Sequence, residues 1–173
     1  PPNYYLLDTA AASRKAITTF ADPHPQLAGV TSQFVTYKRK DGVQLNATIY
    51  LPPGYVPGTK VPVFLWAYPA EFTSADEAAQ SSGNENRFLT VGGSSQLLLL
   101  TQGYAVFNDA TMPIIGAGET ANDTYVERLG ASAQAAIDKG VEMGFADRDH
   151  WGVGGHSYGA FMTANLLANS RLF

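Results

Sequence analysis

The sequence predicts an α/β fold, a mostly parallel sheet with helices on both faces. Three observations predict it. Apolar runs bounded by polar turns recur at residues 61–66, 104–108 and 151–154, as in strands buried on both faces. Between the second and third runs, Val126, Leu129, Ala133, Ala136, Ile137 and Val141 keep helical spacing over 124–143. After the third run, small residues open another helix over 160–167, as a close helix-sheet approach requires. Strand, crossover, strand, helix, strand, helix is the grammar of parallel strands joined by right-handed crossovers.

The composition narrows the function classes. The chain has 173 residues, enough for one ordinary domain, and 45% of them are hydrophobic. Charged residues make up 15%, below the ~25% of a usual soluble domain. The net charge of -4 is dispersed, and no basic patch points to nucleic acid. No apolar run approaches the ~20 residues of a membrane span. Cysteine is absent, and the three histidines form no ligand-spaced pair. No metal and no cofactor is therefore implied.

Taken in order, residues 1–28 read as an entry segment from a preceding domain, and 29–173 as the α/β domain. Prolines and aromatics extend 1–8. Residues 9–20 carry a weak helical pattern, or else a linker or the last strand of the preceding domain. Asp22-Pro23-His24-Pro25 interrupts regular structure. Residues 32–38 and 44–51 form a hairpin about Asp41-Gly42. The strand at 61–66 has Pro62 at its start. Residues 68–93 read as a long polar loop whose Glu71, Glu77, Glu85 and Arg87 shape a pocket or are solvated. Leu97 to Leu100 supply the packing side of a short helix over 94–101, stopped by Gly103. A glycine-rich loop is expected over 109–119, and Asn122 or Asp123 caps the long helix.

The chemistry centres on Gly155-His156-Ser157-Tyr158-Gly159. Gly-x-Ser-x-Gly between a buried strand and a helix is the pattern of a nucleophile elbow. The glycines allow a turn that a side chain would block. Ser157 is the candidate nucleophile. A serine hydroxyl needs a general base, ordinarily a histidine oriented by a carboxylate. His24 falls in a loop, His150 at the far end of the last strand, and His156 is expected to pack beneath the turn. In the α/β-hydrolase order the acid and the histidine follow the serine, but the sixteen residues after Ser157 contain neither. The fold class is accordingly read as an α/β-hydrolase fold truncated after the elbow helix. The competing reading of Ser157 is a structural serine in a nucleotide-binding turn. Gly-x-Gly-x-x-Gly from Gly152 and Gly154 fails, however, because position 157 is serine. The Tyr158 N–H is one candidate oxyanion donor. Tyr68, just past the strand at 61–66, has a hydroxyl that could be the second, or merely caps the core. Asp109 binds substrate or caps a turn.

Gly154-Gly-His-Ser-Tyr-Gly-Ala-Phe-Met162 closely resembles the elbow of the prolyl oligopeptidase family of serine peptidases. Trp66-Ala-Tyr-Pro-Ala-Glu-Phe72, Asn84-Glu-Asn-Arg-Phe88 and Pro1-Pro2-Asn3-Tyr4-Tyr5 are most similar to its glutamyl endopeptidase-like branch. The resemblance spans nearly the whole chain. It implies the N-terminal half of a catalytic domain, with Ser157 as nucleophile. It implies Tyr158 as backbone oxyanion donor and Tyr68 as side-chain oxyanion donor. A β-propeller would precede Pro1, the triad Asp and His would follow Phe173, and the substrate would be a peptide, cut after Glu on branch similarity alone. Two rivals remain open: an esterase of the same fold, and an inert fragment or binding module lacking its base. Residues 1–173 alone are expected to fold poorly.

Overall fold

The computed structural model describes residues 3–80, 89, 91–116 and 118–173. Glu85, Arg87 and the prolines at 1 and 2 lie outside the described residues.

The chain opens with a two-stranded antiparallel hairpin, β1 (Tyr5–Asp8) and β2 (Ser13–Ala16), with Tyr5 opposite Ala16. The weak helical pattern expected over 9–20 is not realised. The Asp8 carboxylate instead accepts the N–H groups of Ala10 and Ala11 and closes a turn. Both strands are exposed.

The main sheet has five strands: β3 (Thr31–Lys38), β4 (Gln44–Leu51), β5 (Val61–Phe72), β6 (Ala105–Ile115) and β7 (Ala146–Gly154). Their order is β3-β4-β6-β5-β7. The pairs β3/β4 and β4/β6 are antiparallel, and only β6/β5 and β5/β7 are parallel. The expectation of a mostly parallel sheet therefore holds for one half. The other half is the hairpin, turned at Gly42 with φ 90°, whose two strands are necessarily antiparallel to each other and whose inner strand also runs antiparallel to β6. Arg39, beside that turn and 3% exposed, donates to the Asp41 carboxylate and to Ser132 Oγ.

Two strands outrun their apolar cores. β5 continues to Phe72 and β6 to Ile115, so most of the loop expected over 109–119 is strand. Asp109, with φ 50°, is the extra residue of a bulge: Trp66 pairs with Asn108, and Ala67 with Ala110. Beyond it the ladder resumes, from Tyr68 opposite Thr111 to Phe72 opposite Ile115. Pro69 and Pro113 within these stretches argue against a strand in the sequence, yet the pairing runs through both.

The α-helices are α1 (Ala75–Ala78), α2 (Tyr125–Glu142) and α3 (Tyr158–Asn169). Leu129, Ala133, Ala136 and Ile137 of α2, with Met162 and Leu166 of α3, share one core with Val63, Leu65, Ala67, Phe107 and Met112 of the sheet. Across the sheet, Val106 packs on Leu27, Leu97 and Leu100 from the short 3-10 helices Pro25–Leu27 and Gln96–Gln102. Gly103, at φ 83°, ends the second as expected. Helical turns thus lie on both faces, unequally. Among the described residues, no helix is long and apolar enough to cross a membrane.

Candidate active site

The last strand and the last helix are joined by a turn of three residues, 155–157. β7 ends at Gly154 and α3 begins at Tyr158. Ser157 takes φ 55° and ψ −115°, a region that L-residues avoid. A non-glycine residue held there costs ~1–3 kcal/mol and persists only where its surroundings determine it.

Those surroundings are glycine contacts. A Cβ on Gly155 would stand 2.5 Å from the carbonyl carbon of Gly159, and a Cβ on Gly159 would stand 2.5 Å from the carbonyl oxygen of Ala67. Both distances are shorter than any real contact, so both positions require glycine. The motif is a packing requirement: Gly155 lets the turn close on the helix, and Gly159 lets the helix close on β5. The result leaves Ser157 and His156 exposed. The expectation that His156 packs beneath the turn is corrected, because glycine backbone fills that space.

The carbonyls of the turn accept from the first turn of α3. Gly159 N–H donates to His156 O at 2.8 Å, and Ala160 and Phe161 N–H donate to Ser157 O at 2.9 and 3.2 Å. Among the described residues, nothing accepts the Tyr158 N–H, as befits the first residue of a helix. The turn therefore presents a hydroxyl and an uncommitted amide on adjacent residues, a pair that can address one substrate carbonyl.

Tyr68 lies on β5, one residue beyond the Ala67 carbonyl that Gly159 abuts. It is 57% exposed, and its ring meets the Tyr158 ring edge-on at 6.0 Å and 79°. The structure thus brings Ser157, Tyr158 and Tyr68 to one place. The Tyr158 ring is also stacked with Tyr125 at 5.7 Å and with Phe161 at 6.2 Å. Its hydroxyl donates to Glu71 Oε1 at 3.3 Å, and Asn122 Nδ2 donates to the same oxygen at 3.3 Å. Burial among the rings, and then the Glu71 charge, push the Tyr158 hydroxyl above its ordinary pKa. Burial does the same to Tyr125, assisted by Tyr158 and Glu71. Sequence reasoning missed Tyr125, Phe161 and Asn122. Phe161 stands three residues after Tyr158 on one helix, a spacing that puts the two on one face. Tyr125 and Asn122 come from a distant element, so only the fold reveals them.

The remaining candidates stand apart or contribute little. His150 is exposed within β7, its Nδ1 2.9 Å from the Asp147 carboxylate. His24 immediately precedes the 3-10 helix at Pro25–Leu27 and makes no side-chain capping hydrogen bond. Asp109 is exposed at the bulge, beside the Trp66 that pairs with Gly154. Among the described residues, no cluster of three His, Cys, Asp or Glu could hold a metal ion.

Against known proteins, no family model matches the chain. It is 54% identical over 157 residues to a probable glutamyl endopeptidase, chloroplastic, of Arabidopsis thaliana, covering 89% of this chain and 16% of that protein. It is 51% identical over 170 residues to the protein of the same name from Oryza sativa subsp. japonica, covering 96% of this chain and 18% of that one. The chain thus spans under one fifth of the length of these relatives. Among solved structures it resembles the apo form of AtxE2 isopeptidase, with TM-score 0.59, 19% identity, and coverage of 98% of this chain and 26% of that one. The dipeptidyl peptidase 4 of Porphyromonas gingivalis gives TM-score 0.53 and 21% identity, over 98% of this chain and 24% of that one. At those identities the likeness is one of fold.

Proposed function

We propose, from the premise that this chain belongs to the prolyl oligopeptidase family of serine peptidases, that it carries the nucleophile and oxyanion half of a peptidase active site. Ser157 Oγ attacks the scissile carbonyl carbon. The carbonyl oxygen, gaining negative charge, is met by the Tyr158 N–H and the Tyr68 hydroxyl. Collapse of the tetrahedral intermediate expels the amine and leaves an ester on Ser157, which water then hydrolyses. The histidine that takes and returns the proton, and the aspartate that orients it, belong to polypeptide outside these residues, as does a β-propeller that admits peptide substrates. Cleavage after Glu is the reading suggested by the two plant relatives, each a probable glutamyl endopeptidase.

The observation that carries this reading is the Ser157 conformation, φ 55° and ψ −115°, held by glycine contacts on either side. Strain of that kind at an exposed hydroxyl is what a preorganised nucleophile requires. The test is turnover of Glu-containing peptides by the full-length polypeptide and its Ser157→Ala variant. Trapping of an acyl group on Ser157 supports the reading, and equal turnover by the two proteins rejects it.

A further inference from the structure

We infer that Glu71 is a positioning residue that sets the spacing of the two oxyanion donors by holding the Tyr158 ring. This rests on the peptidase reading above. β5 carries both Tyr68 and Glu71, and each touches the same side chain. Tyr68 meets the Tyr158 ring edge-on, and Glu71 Oε1 accepts the Tyr158 hydroxyl. Tyr158 is the first residue of α3, and among the described residues its N–H has no acceptor. The Ser157 carbonyl of the same peptide unit accepts the Ala160 and Phe161 N–H groups, and Gly159 seats the start of α3 on Ala67 through backbone. The Tyr158 side chain adds a further tie to β5 at the residue that carries the free N–H.

The anchor is itself held. Asn122, just before α2, donates to the same Glu71 oxygen, so one carboxylate ties β5, the entry to α2 and the start of α3 together. Tyr125 and Phe161 stack with the ring and leave it freedom chiefly within its own plane. Glu71 removes that remaining slide. Both hydrogen bonds measure 3.3 Å.

The consequence is kinetic. A small displacement of one oxyanion donor acts on the transition state more than on ground-state binding. In the full-length polypeptide, Glu71→Ala is expected to lower kcat about tenfold with KM within about twofold, short of the ~10²–10³-fold loss for removing a donor outright. Glu71→Gln, whose amide oxygen still accepts the hydroxyl, should restore most of kcat. In a Tyr158→Phe background, Glu71→Ala should cost less than about twofold more, because the hydroxyl it holds is gone. An undiminished kcat in Glu71→Ala would overturn the inference. So would an equal loss with and without the Tyr158 hydroxyl, or a change confined to KM. Thermal melts of the unmutated protein and the four variants identify a variant that has lost its fold, and Glu71→Gln carries the test in that event. If the unmutated protein itself fails to acylate at Ser157, the peptidase reading falls, which is a separate outcome.

Discussion

The carbonyl oxygen of Ala67 occupies the place that a side chain on Gly159 would need, 2.5 Å from an added Cβ. That approach seats the start of α3 against β5, so the Ser157 turn and the Tyr68 strand are fixed to each other through backbone. Gly159→Ala should therefore do more than fill space. Relief requires α3 to move off β5 and carry Ser157 away from Tyr68. We expect a loss of ~3 kcal/mol in stability together with loss of serine reactivity, read by urea unfolding and by probe labelling of the folded fraction.

Ser157 should be stable in the wrong direction, that is, replaced with profit. Its side chain makes no capping hydrogen bond to α3, while its backbone pays for φ 55°. Ser157→Gly relieves that strain and should raise stability by ~1 kcal/mol, while abolishing acylation. A variant less stable than the unmutated protein would show that the turn is not strained.

The Tyr68 hydroxyl is assigned a role that only the transition state uses. Tyr68→Phe keeps the ring, and with it the edge-on contact to Tyr158. We expect kcat to fall by about 10²-fold with KM little changed. Steady-state kinetics on a peptide substrate decides it, since a residue that merely caps the core would leave kcat intact.

Tyr37 supplies a pH dependence. Its hydroxyl is buried, and among the described residues it finds no hydrogen-bond partner. Burial pushes its ionisation far above the ordinary value of 10.0. A hydroxyl whose pKa is raised in the fold by burial leaves stability undiminished below the unfolded value and lowers it as pH rises beyond that value, because only the unfolded chain ionises. Stability should thus decline above about pH 10. Tyr37→Phe should flatten that decline and cost nothing at neutral pH, because it removes an unsatisfied hydroxyl from the core. Urea midpoints at pH 7 and pH 10.5 for the two proteins test both statements.

Much of this arrangement was legible in the sequence, for identifiable reasons. Asp41-Gly42 marked the hairpin because φ 90° at Gly42 demands glycine. The run from Val126 to Val141 marked α2 because one face of it is core. Gly155, Ser157 and Gly159 marked the elbow because each glycine answers a steric contact. What escaped was set by neighbours rather than local pattern. Tyr68 to Phe72 contain Pro69 and open a long polar stretch that reads as loop, yet β6 pairs with every one of them. Asp109 signals no bulge, because aspartate at φ 50° is tolerated rather than required. The Glu71, Asn122 and Tyr158 contact joins residues up to 87 apart in sequence, and no spacing rule reaches that far.

The most direct test of the central claim is the reaction of the full-length polypeptide with a fluorophosphonate probe, followed by intact mass and peptide mapping. One probe per chain, mapped to Ser157 and absent from Ser157→Ala, is the result expected of a strained, activated nucleophile. A folded protein that takes no probe, or takes it at another residue with Ser157 unmodified, would contradict the assignment of this turn as the reactive centre.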